Sequence, residues 1–241
     1  MICKNCNQVF EGNFCNNCGQ SADTHRLNVH FIWHDIQHGL FHFDKGIYYS
    51  VKELYFRPGH SIREFIEGKR VNHFRPVSLV IVLATVYGLL YHSFEINLFT
   101  AGADDMPKLS SDINNYWMAK HFSWLTLATI PLYTLGTYIC FKNQGYNYIE
   151  YLILNTFKAS QRLTLHIVTF PILYHFNGTP AIKTFITVLY AMDIALIYWT
   201  NFQFFDRMST MKVLLLSALS HLIFLAVLVF ALAVIVLLGG Y

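Results

Sequence analysis

The stretch VLLLSALSHLIFLAVLVFALAVIVLL, Val213–Leu238, decides the fold class. It is almost wholly apolar, with His221 its one ionisable residue. At about 1.5 Å per residue, a helix through it reaches about 39 Å and crosses a roughly 30 Å hydrocarbon core with some tilt. Working back along the chain, further apolar stretches fall at about 76–93, 122–141, 160–176 and 181–200. The stretch 160–176 is the weakest because Arg162, His166 and Pro171 interrupt it. It could begin earlier, with Tyr148 to Phe157 lying on the surface as an amphipathic lead-in.

Of 241 residues, 54% are hydrophobic and 13% charged, against about 25% charged in an ordinary soluble domain. The apolar residues cluster after Pro76, whereas residues 1–75 are polar and charged. The expected fold is an all-α membrane protein of about five transmembrane helices. A zinc ribbon at 1–20 and amphipathic juxtamembrane helices at 21–75 precede the helical domain at 76–241, whose last span is put at 213–238. The net charge of +3 is small, and no basic patch interleaved with aromatics stands apart from the membrane, so no nucleic-acid partner is expected.

The charges suggest an orientation. With the N-terminus inside, cytoplasmic segments hold 14 of the 17 Lys and Arg residues. Glu95, Asp104, Asp105 and Asp112 make the loop 94–120 acidic, as suits the outer face. Five spans then put the C-terminus outside.

The N-terminal segment reads CKNCNQVFEGNFCNNCGQ over 3–20, two C-x2-C pairs formed by Cys3, Cys6, Cys15 and Cys18. Two close thiolate pairs on short turns place four sulfurs tetrahedrally around one Zn²⁺. Disulfides are the competing use, but Met1 and Ile2 lead straight into Cys3 without a leader, so a reduced cytoplasmic site is expected. Iron also suits four sulfurs, and the ribbon-like spacing favours zinc. Such a short unit cannot bury enough surface to fold alone, and metal binding, on the order of 10–16 kcal/mol in comparable sites, would have to fold it. A closed four-thiolate site has no open position for water and is structural, and a redox C-x2-C would need a βαβ context.

Val29, Ile32, Trp33, Ile36, Leu40 and Phe43 form a helical stripe, with His30, His34, His38 and His42 on its flank. The His ladder could hold a metal. A helix at the headgroup boundary, with Phe31 and Trp33 dipping inward, explains it without one. Lys45 to Phe56 predicts a second helix, stopped by Arg57-Pro58-Gly59. Ser61 to Glu64 has the form of a capping box opening a helix that ends at Gly68. Arg63, Lys69, Arg70 and Arg75, with Arg57, make a basic collar that could bind anionic lipid headgroups or simply set topology.

Inside the membrane, ionisable groups are costly and suggest function. Asp193 and His221 both lie about 11–12 Å from the inner face at about 1.5 Å per residue. Arg162 and His166 enter from the same side, so the four could meet in one cluster. Such a cluster could serve transport, or Asp193 could pair with Arg162 and fix helix packing. No nucleotide-binding, nucleophile-elbow or metalloprotease motif occurs, and no enzymatic activity is expected.

Cys3, Cys6, Cys15 and Cys18-Gly19-Gln20, followed by Pro58-Gly59, Ile62, Phe65-Ile66, Gly68-Lys69-Arg70, Phe74 and Pro76, carry a resemblance. On these residues the chain resembles an uncharacterised bacterial family of zinc-ribbon multi-pass membrane proteins, domain-of-unknown-function family 3667. The resemblance covers the first third of the chain, and the rest matches only in its general pattern of spans. It implies an architecture in the bacterial inner membrane and no reaction. The expected role is a membrane-anchored docking or scaffold protein, in contact with membrane lipids and holding a cytosolic partner or another copy of itself. The alternative is a transporter of ions or small solutes.

Overall fold

Asn147 opens the helix around which the others gather. Its side-chain carbonyl accepts from the Glu150 backbone N–H at 2.9 Å, and its own N–H donates to Glu150 Oε2 at 2.7 Å, a reciprocal capping box. The helix so begun, Tyr148–His175, packs against five others. In the computed structural model, which describes residues 1–39, 46–94, 96 and 108–239, the helices are α1 (Val29–Gly39), α2 (Gly46–Phe56), α3 (Pro58–Glu67), α4 (Pro76–Ser93), α5 (Lys108–Phe141), α6 (Tyr148–His175), α7 (Ala181–Phe204) and α8 (Thr210–Gly239). Among the described residues there is no β-strand, only two isolated bridges in the N-terminal ribbon.

Among the described residues four segments are long and apolar enough to cross a membrane: Pro76–Ser93, Ser123–Gln144, Ala181–Phe204 and Thr210–Ala231. The expected span at 160–176 lies in α6, which is long enough but carries polar residues inside the bundle. The amphipathic lead-in is corrected: Tyr151, Ile153, Leu154 and Phe157 are buried, and so are Asn155, Thr156, Lys158, Ser160 and Gln161. Both faces of this half-helix meet protein. The second apolar stretch, expected at 122–141, lies at Ser123–Gln144 as the C-terminal part of a longer helix, since α5 begins at Lys108. His42, Glu95, Asp104 and Asp105 lie outside the described residues.

Small and polar residues join the helices, as suits packing in lipid, where apolar surface drives little association. Asn155 Nδ2 donates to Thr134 Oγ1 and Thr137 Oγ1 at 3.3 and 3.2 Å, and Thr137 Oγ1 meets Ser220 Oγ at 3.3 Å, linking α5, α6 and α8. Gly136 lets α5 approach α8 closely, since a Cβ there would stand 2.6 Å from the Ser220 carbonyl oxygen. Gln161 ties three helices: its Nε2 donates to the Leu54 carbonyl at 2.5 Å, and its Oε1 accepts from Thr200 Oγ1 at 3.1 Å. Leu215, Leu222, Val229 and Phe230 of α8 face outward, the arrangement of a lipid-facing surface.

The juxtamembrane helices share the bundle's core. Leu54, Ile62 and Phe65 pack in one cluster with Phe141, Tyr151, Phe157, Phe204 and Val213. The capping box at Ser61 is corrected as well. Pro58 is the first residue of α3, and Ser61 is buried one turn inside. Proline lacks the N–H that a first helical turn leaves unbonded and has the helical φ already set, so it starts the helix four residues sooner, with Arg57 at the cap position. Glu64 turns instead to Arg57 at 2.9 Å and Lys69 at 3.2 Å. Gly68, at φ 121°, ends the helix as expected.

Asp35 holds the first span. Its carboxylate, 1% exposed, accepts from the Val77 backbone N–H at 3.1 Å, and Ser78 Oγ donates to the Asp35 backbone carbonyl at 3.3 Å. It thus caps α4 from a different helix. Burial pushes the Asp35 carboxyl up to about 6, against the lowering pull of Val77 N–H. A carboxyl with a higher pKa folded than unfolded favours folding fully below pH about 4, and that contribution is lost as pH rises through about 6. Asp35→Asn should keep the acceptor and flatten the pH dependence of Tm between about 4 and 6. Asp35→Ala should flatten it as well and, having lost the acceptor, lie about 1 kcal/mol below Asp35→Asn at any pH, with a wild-type pH profile for the alanine variant counting against this cap.

Candidate metal centre

The two C-x2-C pairs fold as a repeat. Cys3 N–H donates to the Gln8 carbonyl and Asn7 N–H to the Cys3 carbonyl, both at 2.9 Å. Cys15 N–H donates to the Gln20 carbonyl and Gly19 N–H to the Cys15 carbonyl, both at 2.8 Å. Each second cysteine is followed by a residue of positive φ, Asn7 at 60° and Gly19 at 74°, which turns the chain back under the sulfurs. The bridges Ile2 with Val9 and Phe14 with Ser21 close the two turns. Phe10 is buried against Cys3 and Cys15.

The four Sγ atoms lie within 4.8 Å of one another, with Cys3 to Cys18 and Cys6 to Cys15 at 3.6 Å. Tetrahedral thiolates at about 2.3 Å from zinc stand about 3.8 Å apart, whereas a disulfide needs about 2.05 Å. The arrangement fits one metal ion held by four sulfurs, and the cysteines are unbridged. The Gln8 backbone N–H, then the Asn17 side chain, hold the Cys6 thiol down to about 6. The Gln20 backbone N–H also favours a Cys18 thiolate, but burial and the thiols of Cys3 and Cys6 push Cys18 up to about 11. Four adjacent thiols do not ionise together unaided, and a bound dication supplies the missing positive charge.

The ribbon is seated on the helices. Gln20 Oε1 accepts from Arg70 N–H at 3.3 Å, and a Cβ at Gly68 would stand 2.7 Å from Lys4 Cδ. Beyond the ribbon, Arg26 grips Glu150 through Nε and Nη2, both at 2.8 Å, and the same Nη2 also donates to the Gly145 carbonyl at 2.7 Å. A guanidinium forked onto a carboxylate fixes direction as well as distance.

The basic collar is engaged with protein. Arg63 pairs with Asp206 at 2.7 Å and donates to the Gln203 carbonyl. Arg70 lies over the rings of Phe31 and Phe65, 5.1 and 5.7 Å from their centroids, and donates to the His25 carbonyl at 2.9 Å. Lys69 meets Glu64, and Arg75 precedes α4 next to Asp35. In α1, Phe31 packs edge-on against Phe65, whereas Trp33 and His30 are exposed.

The intramembrane group divides. His166 Nε2 and Asp193 Oδ2 are 2.9 Å apart, and His221 Nε2 meets the Tyr190 hydroxyl at 2.9 Å. The expected pairing of Asp193 with Arg162 is corrected, since His166 takes that position. Four residues along a helix turn about 40° past a full turn, so His166 meets Tyr87 of α4 and Asp193 of α7, while Arg162 faces α5 and α8. Asp35 and Arg26 were not singled out by the sequence, as neither belongs to a local motif. The repeat Asn7-Gln8 against Gly19-Gln20 could have been read from it.

Residues 44–88, which hold α2, α3 and most of α4, match the model of a family described as a protein of unknown function, DUF3667. No curated protein and no solved structure matches the chain.

Proposed function

We propose, for a chain that belongs to the DUF3667 family and whose family description assigns no activity, a membrane-anchored docking protein whose ribbon is held by one structural zinc. The observation that carries this reading is the ribbon's surface. Ile2, Val9 and Phe14 are 70, 68 and 66% exposed, while its sulfurs and Phe10 turn inward. Large apolar side chains grouped on so small a unit suit contact with another protein. The seat on Arg70, Gly68 and Glu150 supports the same role, because a partner held by the ribbon would be held at a fixed place relative to the membrane.

The reading is of a binding protein and not an enzyme: four thiolates close the metal's coordination and leave no position for substrate. Bacterial inner membrane, a cytoplasmic ribbon and lipid contact through the outward faces of the helices complete the proposal. The excess of Lys and Arg in its N-terminal third supports that orientation. A photo-crosslinking amino acid at Phe14 tests it in cells. One discrete adduct is expected, abolished by Ile2→Ser/Val9→Ser while zinc content and abundance stay unchanged. An adduct at twice the chain's mass would identify a second copy as partner. Unreacted monomer alone would end the docking reading.

A further inference from the structure

A cavity of about 30 Å³ lies between α5, α6, α7 and α8, and its lining carries two basic side chains, Lys158 and Arg162, and no carboxylate. Lys158 is 3% exposed, and Arg162 buries Nε with no hydrogen-bond partner. Tyr133, 8% exposed, likewise buries its hydroxyl without a partner. Asn155 is largely engaged already. Its Nδ2 is spent on Thr134, Thr137 and the Tyr151 carbonyl, and its Oδ1 takes Lys158 Nζ at 3.3 Å. Thr129 Oγ1 donates to the Thr126 carbonyl, which leaves it an acceptor toward the cavity. Ile130, Ile197 and Phe224 supply apolar wall.

Among the described residues neither cation is in an ion pair with Asp or Glu. The intramembrane carboxylate Asp193 is paired through Oδ2 with His166. The charged neighbour that acts on Lys158 is Arg162, a like charge. Two cations side by side in a low-dielectric interior cost several kcal/mol each unless an opposite charge answers them. Lys158 can escape that cost by shedding its proton, whereas Arg162 cannot. Water can hydrogen-bond in such a site but brings no negative charge to answer Arg162.

We infer that Lys158, Arg162 and Tyr133 form a binding site for a small monovalent anion of the halide class. Size selects within that chemistry. One water needs about 10–15 Å³, so this cavity takes one or two particles of that size, a chloride or bromide and not a tetrahedral phosphate. The anion would neutralise the Lys158–Arg162 repulsion and join α6 to α5. It owes nothing to the metal ribbon, so this inference stands or falls apart from the docking role.

Thermal unfolding of the full-length protein in detergent tests it, with sodium chloride exchanged for sodium gluconate at constant ionic strength. Chloride and bromide should raise Tm saturably, as a ligand of the folded state does, and gluconate, too large for the cavity, should not. Arg162→Met should raise the half-saturating chloride concentration at least about tenfold, an interaction of about 1.4 kcal/mol, with Lys183→Met unchanged. Should Arg162→Met not accumulate, Lys158→Met gives the same comparison, and the wild-type difference between chloride and gluconate needs no variant. Coincident chloride and gluconate curves would overturn the site. So would a saturable chloride response undiminished in both methionine variants. Stabilisation by phosphate exceeding that by chloride would overturn the halide assignment.

Discussion

Gly59→Ala is expected to keep the protein from accumulating, or to lower its stability by about 3 kcal/mol or more. A Cβ at Gly59 would stand 2.2 Å from the Phe204 backbone nitrogen, 2.4 Å from Gln203 Cβ and 2.5 Å from the Gln203 carbonyl carbon. These are mostly backbone atoms at the end of α7, so no rotamer change relieves the clash. Separation of α3 from α7 would also break the bond from Gly59 N–H to Gln203 Oε1, at 3.2 Å, and the Arg63–Asp206 pair. Gly145→Ala is the informative companion. Gly145 has φ 82° with nothing within 4 Å of its would-be Cβ, so that change meets conformational strain alone, about 1 kcal/mol. Fluorescence-detected size exclusion after heating would rank the two, and a Gly59→Ala protein as stable as Gly145→Ala would refute the close contact.

Cys15→Ser/Cys18→Ser is expected to take zinc from about one ion per chain to none and to unfold the ribbon, while the membrane helices remain. Inside the ribbon Phe10 packs chiefly on cysteines, so little apolar core survives loss of the metal. The helices do not depend on it: Leu54, Ile62, Phe65 and Phe157 meet one another without a ribbon side chain between them. Elemental analysis should therefore fall to background with helical circular dichroism nearly unchanged. A strong chelator should do the same to the wild type. Undiminished zinc in the double variant would place the metal elsewhere, and collapse of the helical signal would show that the ribbon holds up the bundle.

The metal site was legible because its chemistry is local: two spacings put four sulfurs in reach, and the structure brings them together. The apolar spans at Pro76–Ser93 and in α8 were legible for the same reason, since composition alone marks them. α6 was not. Its Asn155, Lys158 and Gln161 look like a wetted face to any reading that equates polar with exposed, yet those residues bond to Thr134, to each other and to the Leu54 carbonyl. Asp35 escaped notice because its partners, Val77 and Ser78, lie about forty residues away across a stretch with no motif. Pro58-Gly59 was read as a stop. It ends α2, but it also starts α3, and only the fold reveals that Gly59 is where α7 passes.

The fork of Arg26 on Glu150 joins residues 124 apart in the chain. A ribosome adding about 5–20 residues per second needs roughly 6–25 s to make that length. The four cysteines, all within the first 18 residues, have emerged long before. Assembly therefore has an order in time: the thiol cluster can close on its ion while the chain is still a short nascent peptide, and the Arg26–Glu150 fork waits until two apolar segments have been synthesised.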